Sequence, residues 1–270
     1  MYNKRPHRIY LPKNRKPRYP TKLNSFHPLS QGLVYAWLFN EGGGNFIWDT
    51  VKQSVSQTFP TDGSVLWRRA SAENTFDTSL FFVNSVGVQV PHNALQNPAN
   101  ITIFSRILPV YSLINNGQIV DKGYNSGYRC RINSTGTVSW FDRGGTNNIT
   151  SNSSVTLNKI IDIAVEGSSN LKIYLDGRLD KSGGAAFGGN VTTSNLRFGC
   201  NNNNTEKIYA FYYCVYLYNR VLTANEHMAL HADPYQMFRP FPLHKYGIPS
   251  AAAATVIPPG LFIPQPQGAF

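Results

Sequence analysis

Residues 164–179 read AVEGSSNLKIYLDGRL, and this stretch decides the fold class. Leu171, Ile173 and Leu175 fall on one side of an extended chain, Lys172 and Tyr174 on the other. A strand with one covered face needs this period of two, because successive side chains point to opposite faces of a sheet. Asp176-Gly177 follows at once, a pair that accepts the backbone angles of a tight turn.

The same period recurs on both sides of that stretch. Tyr128, Cys130 and Ile132 share a face while Arg129 and Arg131 take the other, and Val138 and Trp140 alternate with Thr137 and Ser139. Further strands are expected at 33–39, 79–83, 86–90, 101–108, 117–121, 160–165 and 195–199. Ile208–Tyr218 (IYAFYYCVYLY) is apolar on both faces, as a central strand covered on both sides would be. Gly-, Asn- and Ser-rich loops are expected at 143–154, 183–190 and 201–205. One helix is expected, opening at the capping box Thr223-Ala-Asn-Glu226 and stopped by Pro234. Many short strands and one short helix predict an all-β antiparallel sandwich of two sheets.

Composition agrees. Hydrophobic residues make up 41% of the 270 and aromatic residues 13%, enough for a sizeable core. Charged residues reach only 14%, against about 25% in an average domain, which suits a β-rich chain with many turns. No apolar run approaches the ~18–20 residues of a membrane span. The basic start, Met1-Tyr-Asn-Lys-Arg-Pro6, lacks the apolar stretch of a secretory signal. The chain is therefore expected to be neither a membrane protein nor conventionally secreted. Cys130, Cys200 and Cys214 form no metal-ligand pair of the CxxC kind and no dense disulfide framework. They read as small buried hydrophobes in a reducing compartment, with a Cys200–Cys214 pairing left open.

Charge and proline divide the chain into three parts. Residues 1–25 hold Lys4, Arg5, Arg8, Lys13, Arg15, Lys16, Arg18 and Lys22 and no acid, while the rest of the chain has 17 basic and 14 acidic side chains. Of 17 prolines, five lie in residues 1–28 and eight in 234–270, and none falls between Pro109 and Pro234. Proline is pushed out of sheet interiors, so its distribution marks a sheet-rich centre with two extended ends. The reading is a basic arm over 1–25, a sandwich over 26–238 and a Pro-rich tail over 239–270. Pro6, Pro12, Pro17 and Pro20 space the arm's charges, interleaved with Tyr2, Tyr10 and Tyr19. That pattern favours an extended strap docking on a negative protein surface over nucleic-acid binding or an idle solvated tail.

Several motifs carry a family resemblance. Leu29–Asn45 (LSQGLVYAWLFNEGGGN), Val86–Pro91, Ile101–Pro109, Ile119–Val138, Ala164–Leu179 and Leu217–Leu230 (LYNRVLTANEHMAL) occur in order. Together they resemble the laminin-G-like jelly rolls of the concanavalin A-like superfamily. The resemblance implies a concanavalin A-like jelly-roll sandwich with a short C-terminal helix and extended terminal arms. Two places depart from the pattern: Arg106 stands where an aromatic is more usual, and Asn158–Ile163 replaces the usual Trp-His. The late Asp that often helps relatives hold calcium is also missing, leaving only Glu41 and Asp49 as candidate ligands. No cofactor and no metal site are expected. Asp233–Pro240 (DPYQMFRP) resembles endings of such domains in tailed bacteriophages.

The superfamily includes glycosidases, so catalysis was weighed from the residues. A glycosidase needs two carboxylates about 5–10 Å apart. Asp162 and Glu166 are spaced by four, which along a strand is ~13 Å, and Asp176 and Asp180 are split by the turn. No G-x-S-x-G elbow occurs. His227 and His231 share a helix face, but in Asn225–His231 (NEHMALH) the Glu precedes both histidines, so the H-E-x-x-H metal arrangement is lacking. The chain is expected to have no catalytic residues and not to be an enzyme.

Two functional readings follow. The first is a structural component of a phage virion, assembled in the host cytoplasm: a capsid decoration, head-fibre or tail-associated protein. It would dock on other virion proteins through the eight basic residues of the arm, as a homo-oligomer, without nucleic acid or membrane. The second is a carbohydrate-binding module that adheres to host-surface or environmental glycans. Its candidate residues are Trp140 and the Asn201, Asn202 and Asn203 run. For Trp140 the alternative is a core position, and for the Asn run a polar turn.

Overall fold

The computed structural model describes residues 16–59, 63–69, 78–83, 87–110, 116–123, 127–142, 147–188 and 192–238. In chain order the strands among them are β1 (Leu33–Trp37), β2 (Phe46–Asp49), β3 (Ser54–Thr58), β4 (Val65–Arg69), β5 (Thr78–Phe82), β6 (Val88–Val90), β7 (Ile101–Pro109) and β8 (Gly117–Asp121). They continue as β9 (Tyr128–Ile132), β10 (Thr137–Asp142), β11 (Asn147–Ser154), β12 (Ile161–Gly167), β13 (Leu171–Leu175), β14 (Arg178–Gly183), β15 (Leu196–Phe198) and β16 (Ala210–Tyr218). The single α-helix among the described residues, α1, spans Ala224–Ala232. Two antiparallel sheets form the expected all-β sandwich. The larger runs β14-β13-β12-β7-β16-β1-β2-β3, with β5 added to β16 and β4 to β5. The smaller runs β11-β10-β9-β8-β15-β6.

The two sheets enclose one apolar core that contains Trp37, Tyr128, Trp140, Ile163, Phe198 and Leu217. Burying each such side chain contributes about 1.5–3 kcal/mol before entropy is counted. A second apolar layer covers the outer face of the larger sheet. There Leu33, Ala36, Phe104, Ala164, Tyr216 and Tyr218 pack under Leu29, Leu222, Leu230, Tyr235, Met237 and Phe238. This explains why β16 is apolar on both faces. The irregular register between Tyr212 and Cys214 exchanges its faces: Tyr212, Val215 and Leu217 point into the sandwich, and Cys214, Tyr216 and Tyr218 into the outer layer.

The sequence-based reading needs two corrections here. Asn147–Ser154, expected within a loop, is edge strand β11, in which Ile149 and Ser151 point inward and their neighbours face solvent. Its polar residues fit an edge position with one wet face. The three cysteines are free and buried, as the reading of small buried hydrophobes expected, and the pairing of Cys200 with Cys214 that the sequence left open does not form. Burial pushes the Cys214 thiol up to about 11, which leaves it protonated and inert.

The second correction concerns the arm. Lys16 is buried against the sandwich and donates to the carbonyls of Phe39 and Thr78. Asn40 donates to Pro17 O, Tyr19 meets Phe46 and Trp48 edge to face, and Asn24 N–H donates to Met237 O. Residues 16–24 are thus strapped to their own body. Lys16 cannot serve as a free docking cation, because its charge is already committed to two carbonyls. Arg18 and Lys22 remain exposed, and Lys4, Arg5, Arg8, Lys13 and Arg15 lie outside the described residues.

Candidate functional site

A two-sheet sandwich has two lateral openings, and the chain furnishes them differently. At one, β11 and β14 meet beneath α1. The helix begins at Thr223, whose hydroxyl accepts from Glu226 N–H while Glu226 returns a bond to Thr223 N–H. Arg220 clamps the Glu226 carboxylate at 2.6 and 3.0 Å and, with those bonds, holds it down to about 2. His227 and His231, four apart on the helix, land on Glu166 and Asp162, four apart on β12. Four residues span about 6 Å of helix and about 13 Å of strand, and the side chains take up the difference.

Both carboxylates are fully engaged. Arg106 donates to both oxygens of Asp162 at 2.6 Å, and His231 Nδ1 lies 2.8 Å from the same group. Burial alone would lower the Arg106 guanidinium, but Asp162 outweighs it and raises it. Glu166 is wholly buried and accepts from Leu222 N–H at 2.9 Å, with His227 at 2.9 Å and Lys172 at 3.4 Å. Burial pushes its carboxyl up, yet His227 and these partners hold it below its ordinary value. Asp162, Asp176 and His231 place ligand atoms within 4.8 Å of one another. A hard cation wants several free oxygens, whereas Arg106 already occupies both of those on Asp162. The cluster is a pinned helix–sheet joint.

The opposite opening lies between β3 and β6, and among the described residues its lining carries no charge. A cleft of about 540 Å³ is lined by Gln57, Thr58, Phe59, Gly87, Gln89, Pro91 and Asn195. A neighbouring cleft of about 430 Å³ shares Phe59 and adds Gly44, Asn45, Gly63 and Trp67. Asn195 is held by His92 N–H at 3.1 Å and donates to Gln89 Oε1 at 3.4 Å. Among the described residues the Gln57 side chain makes no hydrogen bond. Trp67 is fixed by its indole N–H on Gly44 O at 2.8 Å, its ring 6.2 Å from that of Phe59. Gly44 and Gly63 have positive φ, and no atom lies within 4 Å of a Cβ placed on Gly63, so the backbone leaves the ring's surroundings open.

The residues singled out from sequence are dispersed. Trp140 lies inside the core, stacked with Phe187, and donates to Glu166 O at 3.0 Å. It cannot be a glycan platform because no face of the ring reaches solvent. Asn201 is also buried, bonding Thr205 through both ends of its amide, so it builds the turn. Asn202 and Asn203 are exposed on that turn. Glu41 and Asp49 accept from backbone N–H groups, Glu41 from Trp48 and Asp49 from Ala36 and Val51. Burial pushes Glu41 up to about 7.

A model of the Concanavalin A-like lectin/glucanases superfamily matches residues 83–226, more than half of the chain. The chain belongs to this superfamily. No curated protein matches it by sequence. Among solved structures, this superfamily member is similar to the binding domain of Paraclostridial Mosquitocidal Protein 1, at 16% identity and TM-score 0.58 over 74% of this chain and 52% of that one. The Botulinum Neurotoxin Type G receptor binding domain gives 18%, 0.56, 74% and 51%. Domain 4 of AbnA, an extracellular arabinanase from Geobacillus stearothermophilus solved with arabinotriose, gives 11% and 0.55 over 74% of this chain and 98% of that one. These likenesses are of fold. The chain spans about half the length of the two toxin-domain structures.

Proposed function

We propose that this lectin-like domain is a non-catalytic carbohydrate-binding module whose site is the uncharged opening between β3 and β6. The observation that carries this is the lining: Gln57, Gln89, Asn195 and Thr58 beside Phe59 and Trp67. Side-chain amides donate and accept at once, as sugar hydroxyls do, and aromatic rings cover the C–H face of a sugar. With no charge in the lining among the described residues, the ligand is a neutral saccharide. The absence of a catalytic role rests on the acids: Asp162, Glu166, Asp49 and Glu226 each hold an ion pair or a backbone N–H. Binding of a neutral glycan panel to the full chain tests the site. Trp67→Ala and Gln89→Ala should each weaken binding tenfold or more. Unchanged affinity in both would move the site elsewhere.

The second reading is display on a virion, supported by the basic tract and by the strap. Fixing residues 16–24 to the body would make it a rigid knob, tethered through Lys4, Arg5, Arg8, Lys13 and Arg15. Co-sedimentation with phage particles over a salt series, with and without residues 1–15, tests it. Removing 1–15 spares the strap, so lost binding would report docking and not unfolding.

A further inference from the structure

We propose that the charged opening is a second, independent binding site, and that its ligand is a carboxylated saccharide. It does not rest on the neutral-glycan reading, because the two clefts share no residue. The cleft, about 500 Å³, lies where β11, β12, β14 and α1 converge, and Lys159 and Arg178 line it. Both are exposed, and neither has a hydrogen bond or ion pair among the described residues. They are presented by backbone in the left-handed region: Asn158 has φ +59°, just before Lys159, and Asp176 has φ +48°, just before Gly177 and Arg178. Asn and Asp tolerate that region better than other non-glycine residues.

The rest of the lining narrows the ligand. Ser153, Ser154 and Thr156 offer hydroxyls, and Ile160, Leu175 and Met228 offer an apolar floor. Met228 is 42% exposed there. Two unpaired cations, three hydroxyls and an apolar floor fit a hydroxylated ring that carries a carboxylate, which the Arg178 fork can grip in bidentate fashion. Asp176, its side chain 46% exposed, accepts from Asp162 N–H through Oδ1 and has Oδ2 to accept from ring hydroxyls. An acidic peptide fits less well. A peptide would add as a strand to the β11 edge, but the Asp180 carboxylate already takes the N–H groups of Asn152 and Ser153.

The test is calorimetric titration of the full chain with tetragalacturonate, its methyl ester and tetraglutamate. The acid should bind, and the ester at least tenfold more weakly. A Lys159→Gln, Arg178→Gln double variant should lose tenfold or more in affinity for the acid at an unchanged melting temperature, while Gln57→Ala should not alter it. No binding of the uronate, equal binding of acid and ester, wild-type affinity in the double variant, or equal binding of tetraglutamate would each overturn the proposal. Failure of the neutral site would appear separately, as neutral-glycan binding indifferent to Trp67 and Gln89.

Discussion

The two lateral openings of the sandwich solve one geometric problem in opposite ways. At the β11/β14 opening, charge pins the elements around the cleft: Asp180 caps two edge N–H groups, and Asp162 and Glu166 anchor α1 through Arg106, His231 and His227. At the β3/β6 opening, amides and rings line the gap, and Trp67 is held by one indole bond to Gly44. Buried charge is costly unless every partner is present, so the acids beneath the first opening are a stability element sensitive to mutation, distinct from the exposed Lys159 and Arg178 that line its cleft. Neutral amides at the wet rim of the second carry little of that risk. Glu41, whose carboxyl burial pushes up to about 7, lies in the turn that also supplies Gly44 and Asn45.

The sharpest break of this comparison is Arg106→Met, which strands a buried Asp162. It should cost about 3–5 kcal/mol in urea denaturation, whereas Gln89→Ala at the other opening should stay within about 0.5 kcal/mol. Equal costs would erase the distinction. Next in size is Thr223→Ala, which removes the cap of the helix that covers the charged opening, and about 1 kcal/mol is expected from melting.

Smaller still, the two regions should differ in pH response. Glu41 has its carboxyl raised from 4.5 to about 7, so its contribution is full below pH 4.5 and fades as pH rises to 7. His231 is raised above 6.5 by Asp162, so its contribution is full below 6.5 and fades above it. Melting curves of Glu41→Gln should therefore flatten the slope below pH 7, and those of His231→Gln the slope above 6.5. Overlapping effects in one window would merge the regions. Smallest is Glu226, lowered to about 2 by Arg220. Its contribution is present above pH 4.5 and lost as pH falls towards 2. Glu226→Gln should remove only a few tenths of a kcal/mol at neutral pH, read from denaturant midpoints.

Much of this was legible along the chain, for local reasons. Alternation in Leu171–Leu175, the two-faced apolar run of Ile208–Tyr218 and the Thr223–Glu226 box each encode their element within a few residues. Asn147–Ser154 was not legible as a strand, since its wet residues carry the signature of a loop. The joint under α1 was half legible. The spacing of Asp162 and Glu166 and that of His227 and His231 stood out separately, as did the departures at Arg106 and at Asn158–Ile163. Arg106 and Asp162 are cross-strand partners, so an unusual cation and an unusual acid explain each other once β7 lies beside β12. Trp140 misled as a site because an inward aromatic and an exposed one read alike in an alternating strand.

By itself the sequence determined the β period, the turns, the helix cap and the segregation of charge into residues 1–25, because each depends on neighbours along the chain. Only the tertiary structure decided that Lys16 belongs to the body, that two histidines meet two acids and that Gln57, Gln89 and Asn195 face one another. Those contacts join residues from 23 to more than 130 positions apart. Nothing local encodes them; they exist because burying two sheet faces against each other, and a helix on top, fixes which distant side chains are left to meet.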